Sequence, residues 1–338
     1  MKELHTVSIR FLACVMLLLA LAPCRAQETS RRDAISADIQ AAFERGAWGH
    51  IEKSFAEFHR NDERVSSGAT KSGQVLLGLR SAIGRPIQSE RTQDHWTTVT
   101  QKAAAWLKEH PNSSLAAYAG VHAHIGLAFF HRGNRMAVDV PADKWPLYEA
   151  ELRKASEYLA PGNTVSRDAV WHTAVLTLAK YQGVDLQTYI RVLDQATTKW
   201  PHFHDLYYVA TERLQPRWGG SAEAFDWLAE LATEKTRATE GTALYARVYW
   251  VVARGEGMSR LFEATQADWK KMKAGFDDIV SRYPDAWNYN HYAWFACSAR
   301  DAAATRQAFE KVGDELDASL WSNRQRLNRC RELARGGE

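Results

Sequence analysis

The chain has 338 residues, of which 46% are hydrophobic, 11% aromatic and 25% charged. This composition excludes a disordered chain, because so many apolar side chains can bury a core, and a collagen-like protein is excluded for want of a glycine period. The 43 basic residues exceed the 40 acidic ones by only three, and no basic stripe runs through the sequence, so nucleic-acid binding is not expected.

Residues 1–26 are predicted to be a secretory signal peptide. A basic start (MKELHTVSIR) precedes 12 apolar residues (FLACVMLLLALA), and Cys24-Arg25-Ala26 offers small residues at both determining positions of a cleavage site. The apolar run is too short to span a bilayer comfortably. Residues 21–24 also resemble an imperfect lipoprotein box, which would place a lipid on Cys24. We therefore expect a periplasmic or secreted protein, with an outer-membrane lipoprotein as the alternative.

Cleavage after residue 26 removes three basic residues and one acidic residue, which leaves 40 and 39. A net charge of +1 provides no general attraction to DNA or to anionic lipid, so no membrane contact is expected without the lipid. Of the four cysteines, Cys297 and Cys330 remain. Two cysteines in an oxidising compartment predict a disulfide, and the bond requires Cα atoms within about 7 Å.

Helical periodicity dominates the rest of the chain, and no run of strand-like alternation is found. Glycine and proline just after several apolar stripes are typical helix stops, as at Gly133, Gly183 and Pro201. A polar stretch over 61–73 is predicted to be a linker. Helices are predicted over 33–60 (interrupted at Gly46), 74–83, 95–108, 113–132, 145–159, 167–181, 186–200, 222–235 and 319–333.

The stop signals recur with some regularity. They fall at Pro111, Pro161, Pro201, Gly241 and Pro284, which are 50, 40, 40 and 43 residues apart. A helix rich in small and aromatic residues follows each stop, and a more charged helix follows that. This pattern predicts an all-α solenoid of about five helix-turn-helix units. Residues 27–73 would form short N-terminal helices and a linker, residues 74–338 the repeat domain, and its last helix a cap.

Two resemblances accompany this pattern. The small-and-aromatic helices and the Tyr245-Ala246-x-x-Tyr249 spacing resemble divergent tetratricopeptide repeats, although these units are longer than about 34 residues. The family's Ala-x-x-x-Phe pattern is missing from the second helices. The Pro-Arg-Trp-Gly-Gly-Ser segment at 216–221 resembles a bacterial family described as domain of unknown function 4034, over roughly residues 90–320. The resemblance implies a helical fold and no catalytic residue.

Common catalytic motifs are absent from the sequence, including Gly-x-Ser-x-Gly, His-Glu-x-x-His and the phosphate-binding loop. No cofactor or metal is expected. On a helix His122 and His124 would point about 200° apart and could not share a metal ion. His202 and His204 lie beside Asp205, which permits a metal site, although helix capping by Asp205 next to solvated histidines is the preferred interpretation.

The segment 216–221 is the most distinctive loop and has two interpretations. As a binding loop, it would bring Arg217 and a helix N-terminus to a ligand. As a structural turn, its glycines would redirect the chain, Ser221 would cap the next helix, and Trp218 would fill the space between helices. The structural interpretation is preferred, and truncation of Arg217 is then expected to matter little.

Trp287, Asn290 and His291 belong to the densest polar-aromatic cluster and are predicted to form a contact surface. The sequence favours an exported protein that binds a protein or peptide partner on one face of the repeats. An enzyme with an unrecognised site near the 216–221 loop, His204 and Asp205 is one alternative, and a small-ligand binder with an aromatic groove is another. A deep pocket with convergent acids or histidines would favour the enzyme, and a shallow aromatic concavity would favour the scaffold.

Overall fold

A computed structural model describes residues 27–84, 92–133, 135–253 and 261–336. In these ranges the chain forms helices, turns and an isolated bridge between Arg64 and Thr70, without any β-strand. The all-α prediction is therefore confirmed for these ranges. The predicted signal peptide at 1–26 and the alternative lipid site at Cys24 lie outside them.

Sixteen α-helices occur in the described ranges, with a short 3-10 turn at Pro216–Trp218. They are α1 (Gln27–Arg45), α2 (Trp48–Arg60), α3 (Lys71–Gly84), α4 (Gln93–Glu109), α5 (Ser114–Arg132), α6 (Trp145–Glu157), α7 (Ala169–Tyr181), α8 (Leu186–Lys199), α9 (Asp205–Arg213), α10 (Ala222–Glu240), α11 (Ala243–Ala253), α12 (Leu261–Ala264), α13 (Trp269–Arg282), α14 (Ala286–Ser298), α15 (Ala302–Val312) and α16 (Arg324–Ala334).

The ends of these helices follow from side chains that the sequence supplies. Ser113 accepts a hydrogen bond from the Ala116 N–H at 2.9 Å, and Ser221 accepts one from the Ala224 N–H at 3.0 Å. Such a cap stabilises a helix by about 1 kcal/mol. After α5 the chain turns at Gly133 with φ = 78°, a left-handed conformation that favours glycine. The predicted boundaries at these positions are confirmed.

Helices α3, α5, α7, α9 and α11 form a row in which each helix packs against the next. Helices α6, α8 and α10 alternate with them along the chain, and each packs against both of its neighbours in the row. Tyr118, Tyr207 and Tyr245 are at most 2% exposed and lie within the row's helices. The aromatic residues of the predicted first helices therefore contribute to packing between helices.

The segment 61–73, which is predicted to be a linker, packs against the second half of the chain. Ser67 is fully buried, and its carbonyl oxygen accepts hydrogen bonds from Arg247 at 2.8 Å and from Asn288 at 3.1 Å. Arg64 forms an ion pair with Glu240 at 2.8 Å. The polar composition that suggested a linker instead supplies the hydrogen-bonding groups that attach residues 64–67, which we call the N-terminal clasp, to the second half of the chain.

The C-terminal helix α16 packs against α14 and α15. A disulfide joins Cys297 of α14 to Cys330 of α16, with Cα atoms 5.4 Å apart, inside the range that the bond requires. The guanidinium of Arg326 lies 3.7 Å from the ring centroid of Trp294. The helix predicted as a cap is thus attached by a covalent bond and a cation–π contact.

Candidate functional site

A cavity of about 570 Å³ is lined by side chains from α1, α3, α5, α7, α9, α11 and α14. Its volume lies within the range of small-molecule sites. Leu77 of α3 and Val251 of α11 belong to its wall, and they keep 41% and 36% of their surface exposed. The cavity therefore presents uncovered apolar surface in addition to the charged groups described next.

Arg80 of α3 brings a positive charge into this wall. Its Nη1 donates a hydrogen bond to the Tyr118 hydroxyl at 2.7 Å. Burial raises the pKa of Tyr118, so the hydroxyl keeps its proton and remains a neutral partner. Arg80 forms no ion pair with any residue that the structure describes. Most of its N–H groups are thus available to another acceptor.

Arg247 of α11 brings a second guanidinium, and it is only 8% exposed. One of its N–H groups is used by the Ser67 carbonyl oxygen, and its Nε atom has no hydrogen-bond partner. No carboxylate of the described ranges pairs with it. A buried cation without a counter-ion is unfavourable, because its desolvation is not offset by an ion pair.

Two histidines of the wall are held neutral. Burial, with Arg80 and Lys180 nearby, lowers the pKa of His122 to about 3. Burial also lowers the pKa of His204 well below its ordinary value, and Arg64 and Arg247 act in the same direction. The Nε2 atoms of both rings are buried without a hydrogen-bond partner. At neutral pH each ring can therefore donate or accept a hydrogen bond without adding charge.

Asp205 is the first residue of α9 and lines the same cavity. Burial raises the pKa of its carboxyl above the ordinary value, and Arg80 offsets part of this effect. Glycine at position 73 allows α3 to approach, because a Cβ atom there would lie 2.8 Å from Asp205 Oδ2. The sequence interpretation was right for His202, which is exposed, but wrong for the next two residues of the group. His204 is 3% exposed rather than solvated, and Asp205 occupies the first helical position rather than the cap.

The other cations of the wall have carboxylate partners. Lys180 of α7 forms an ion pair with Glu212 of α9. Arg32 of α1 is paired with Glu28 at 2.6 Å and lies 4.9 Å from the ring centroid of Trp287. These pairs separate the wall into positions that form an ion pair and the two guanidinium groups, those of Arg80 and Arg247, that form none with the described residues.

No known relative was found. Protein-family models, curated proteins and solved structures were all compared with this chain, and none matches. In the described ranges no three His, Cys, Asp or Glu side chains are grouped so that they could hold a metal ion. None of the helices described here is both long enough and apolar enough to cross a membrane.

The 216–221 loop lies beside the cavity rather than in its wall. Trp218 is half-buried and packs edge-on against Tyr181 at 5.9 Å between ring centroids, and the Lys180 ammonium lies 4.8 Å from its ring. Gly219 has φ = 80°, which favours glycine there. Trp218 thus fills a position between helices only in part. The side chain of Arg217 lies outside the described part, and its role stays a prediction.

The predicted contact surface at Trp287, Asn290 and His291 is divided by the fold. Trp287 lines the cavity, whereas Asn290 and His291 are 1% and 3% exposed. Asn290 donates to the Glu315 carbonyl oxygen at 2.8 Å and accepts from the Trp321 indole at 2.9 Å. Asn290 and His291 therefore stabilise the packing around α14, and a protein partner could not reach them on the folded surface.

Sequence reasoning missed most of the cavity's charged residues. Arg80, Lys180 and Arg247 were not singled out, because each is a charged side chain within a mostly apolar stretch of its helix. That isolation was itself the available signal: a single charged side chain on the buried face of such a helix requires a partner. The prediction that His122 and His124 point apart is confirmed, since His122 lines this cavity and His124 is paired with Glu151 at 2.7 Å elsewhere.

Proposed function

We propose that this protein binds a small organic molecule in the cavity between α3, α7, α9 and α11. The observation that carries the proposal is the uncovered Leu77 and Val251 in a cavity of about 570 Å³. Apolar walls with a few polar groups are typical of small-molecule sites. This is the small-ligand alternative of the sequence analysis, and the cavity supports it better than binding on an open repeat face.

Filling the cavity tests the proposal. Leu77→Trp adds volume where space is open, so we expect the variant to fold and to lose its small-molecule ligands. Leu147→Trp is a matched control, because Leu147 is 47% exposed and does not line the cavity. Native mass spectrometry of the purified full chain gives the readout. Equal ligand occupancy in Leu77→Trp and in the parent would contradict the proposal.

The finer description of the fold belongs to the same proposal. We propose that the helices form tetratricopeptide-like pairs, which the row from α3 to α11 and its alternating neighbours support. The N-terminal clasp goes beyond a simple solenoid, in which each unit touches only its neighbours. We further propose that the chain is exported, on the strength of residues 1–26.

Binding of a protein or peptide is a second candidate function. It is favoured by exposed apolar side chains between α5 and α6, where Met136 and Val138 keep 74% and 88% of their surface exposed. A crosslinked pull-down from the native cell envelope tests it. A specific partner should be lost with Val138→Asp and retained with Leu77→Trp.

Catalysis on the bound molecule is favoured by one observation, the raised pKa of Asp205 in the same cavity as a neutral His122. Such pairs occur at acid–base sites. Asp205→Asn should then abolish conversion of a bound compound while leaving its binding intact. If both properties survive the substitution, Asp205 has no catalytic role.

A further inference from the structure

We infer that the ligand of this cavity carries an anionic group, a carboxylate or a phosphate, which accepts hydrogen bonds from Arg247 and Arg80. The inference rests on the proposed function, because it assigns the chemistry of the molecule held in the same cavity. It concerns the charge of that molecule, whereas the proposed function concerns its presence.

Arg247 provides the first step of the argument. It is more than nine-tenths buried, it lines the cavity, and its Nε atom has no partner. Its hydrogen-bond acceptor is a neutral carbonyl oxygen, that of Ser67. A guanidinium in such a position keeps its charge, so the protein must either bear the cost of an unpaired ion or receive a counter-ion from outside.

The charge balance of the cavity wall also supports an anionic ligand. The lining side chains carry four cations and two carboxylates. Glu212 pairs with Lys180, and Arg32 is paired with Glu28. This leaves two guanidinium groups, those of Arg80 and Arg247, facing the single carboxylate of Asp205 among the described lining residues. At least one positive charge is therefore uncompensated until an anion enters.

The neutral histidines fit an anion as well. His122 and His204 each have a buried Nε2 atom without a hydrogen-bond partner, and that of His204 lies 3.8 Å from Glu240 Oε1. In the neutral ring, the imidazole nitrogen that carries a hydrogen can donate to an oxygen of the anion. The ring is uncharged and therefore needs no further counter-ion. The wall thus combines charged and neutral donors, which together can satisfy several oxygen atoms of one group.

The rest of the ligand must suit the apolar part of the wall. Leu77 and Val251 remain uncovered, and the rings of Trp250 and Trp287 also line the cavity. An organic anion with an apolar body contacts both kinds of surface, whereas an inorganic anion would leave the apolar side chains uncovered. Organic carboxylates and phosphate esters both combine an anionic group with an apolar body.

Matched probes test the inference with the full chain. Phenylacetate is compared with phenylacetamide, and phenyl phosphate with phenol, by isothermal titration calorimetry; inorganic phosphate is the additional probe. We expect at least one of the two organic anions to bind at least about tenfold more tightly than its neutral counterpart, since hydrogen bonds to charged groups are stronger than neutral ones. The preferred anion then distinguishes a carboxylate from a phosphate.

Two substitutions locate the effect. Arg247→Met and Arg80→Met should each weaken anion binding by at least about tenfold and reduce the preference over the neutral probe. Arg153→Met is the matched control, because the Arg153 side chain is 69% exposed and lies outside the cavity. Circular dichroism establishes that the variants are folded, and if one of them unfolds the other still decides.

The outcomes separate the inference from the function on which it rests. Equal binding of anionic and neutral probes, or unchanged anion binding in both folded arginine variants, would overturn the inference and leave small-molecule binding intact. Inorganic phosphate binding as tightly as the organic anions would overturn the organic-ligand proposal and leave the anion site. If no probe of either charge binds, both are wrong.

Discussion

Acidification is expected to destabilise the protein through the buried imidazole of His122. Burial and two nearby cations lower its pKa from 6.5 to about 3 in the folded state. Between these two values the unfolded chain binds a proton that the folded chain does not. Folding stability therefore falls as the pH decreases below about 6.5, and this contribution ends near pH 3.

The size of the effect follows from that difference. One proton corresponds to about 1.4 kcal/mol per pH unit, so His122 alone should lower the free energy of unfolding by about 2.5 kcal/mol between pH 7 and pH 4.5. His204, whose pKa is also lowered, acts in the same direction. Carboxylates with a lowered pKa, such as Glu28, do so as well. The free energy of unfolding should therefore fall by more, between pH 7 and pH 4.5, than His122 alone accounts for.

A comparison of variants isolates that part. Urea unfolding of the parent and of His122→Gln at several pH values should show that the variant loses about 2.5 kcal/mol less over this interval. Leu147→Gln, at a position that is 47% exposed, removes no titratable group and is the control that should follow the parent. If the stability of His122→Gln falls in parallel with that of the parent, the imidazole is not held neutral by the cavity and the reasoning is refuted.

Three further predictions concern the rest of the chain. Gly220→Ala should destabilise the protein by about 3 kcal/mol in thermal melts, because the added Cβ atom would lie 2.0 Å from the Leu214 carbonyl oxygen. Gly49→Ala is the control: a Cβ atom there meets nothing within 4 Å, so this variant should be as stable as the parent or more stable. Thiol labelling of the unreduced, denatured protein should find Cys297 and Cys330 unreactive, and labelling of either would contradict the disulfide. Intact-mass measurement of the exported protein should place the N-terminus at Gln27, and a diacylglyceryl mass would favour lipidation instead.

Local signals in the sequence were enough to predict the limits of several helices. The limits expected at 145–159 and 186–200 agree within two residues with α6 and α8. Capping side chains and glycine turns act within a few residues of the helix end, so they can be read without knowing the fold. The helix predicted over 222–235 instead continues to residue 240 and ends at Gly241, the later stop signal.

The cavity could not be predicted in the same way, because its residues meet only through the tertiary arrangement. Arg80 and Asp205 are more than a hundred positions apart in sequence, yet each affects the pKa of the same group, Tyr118. The polar and aromatic residues around Asn290 led to a wrong prediction of a contact surface, although they are close together in the sequence. Local composition cannot tell whether such side chains face solvent or hydrogen-bond to a neighbouring segment, as Asn290 does.

The N-terminal clasp has a consequence for the order in which the chain can fold. The Ser67 carbonyl oxygen finds its donors 180 and 221 positions later, in Arg247 and Asn288. In a repeat array folding can nucleate anywhere and propagate between neighbours. The hydrogen bonds of the clasp instead close a loop that contains most of the chain, so they can form only after the entropy cost of closing that loop has been offset. A chain that emerges N-terminus first thus holds an unsatisfied clasp until α14 has appeared. We expect the final folding step to be slow and to involve both halves of the molecule at once.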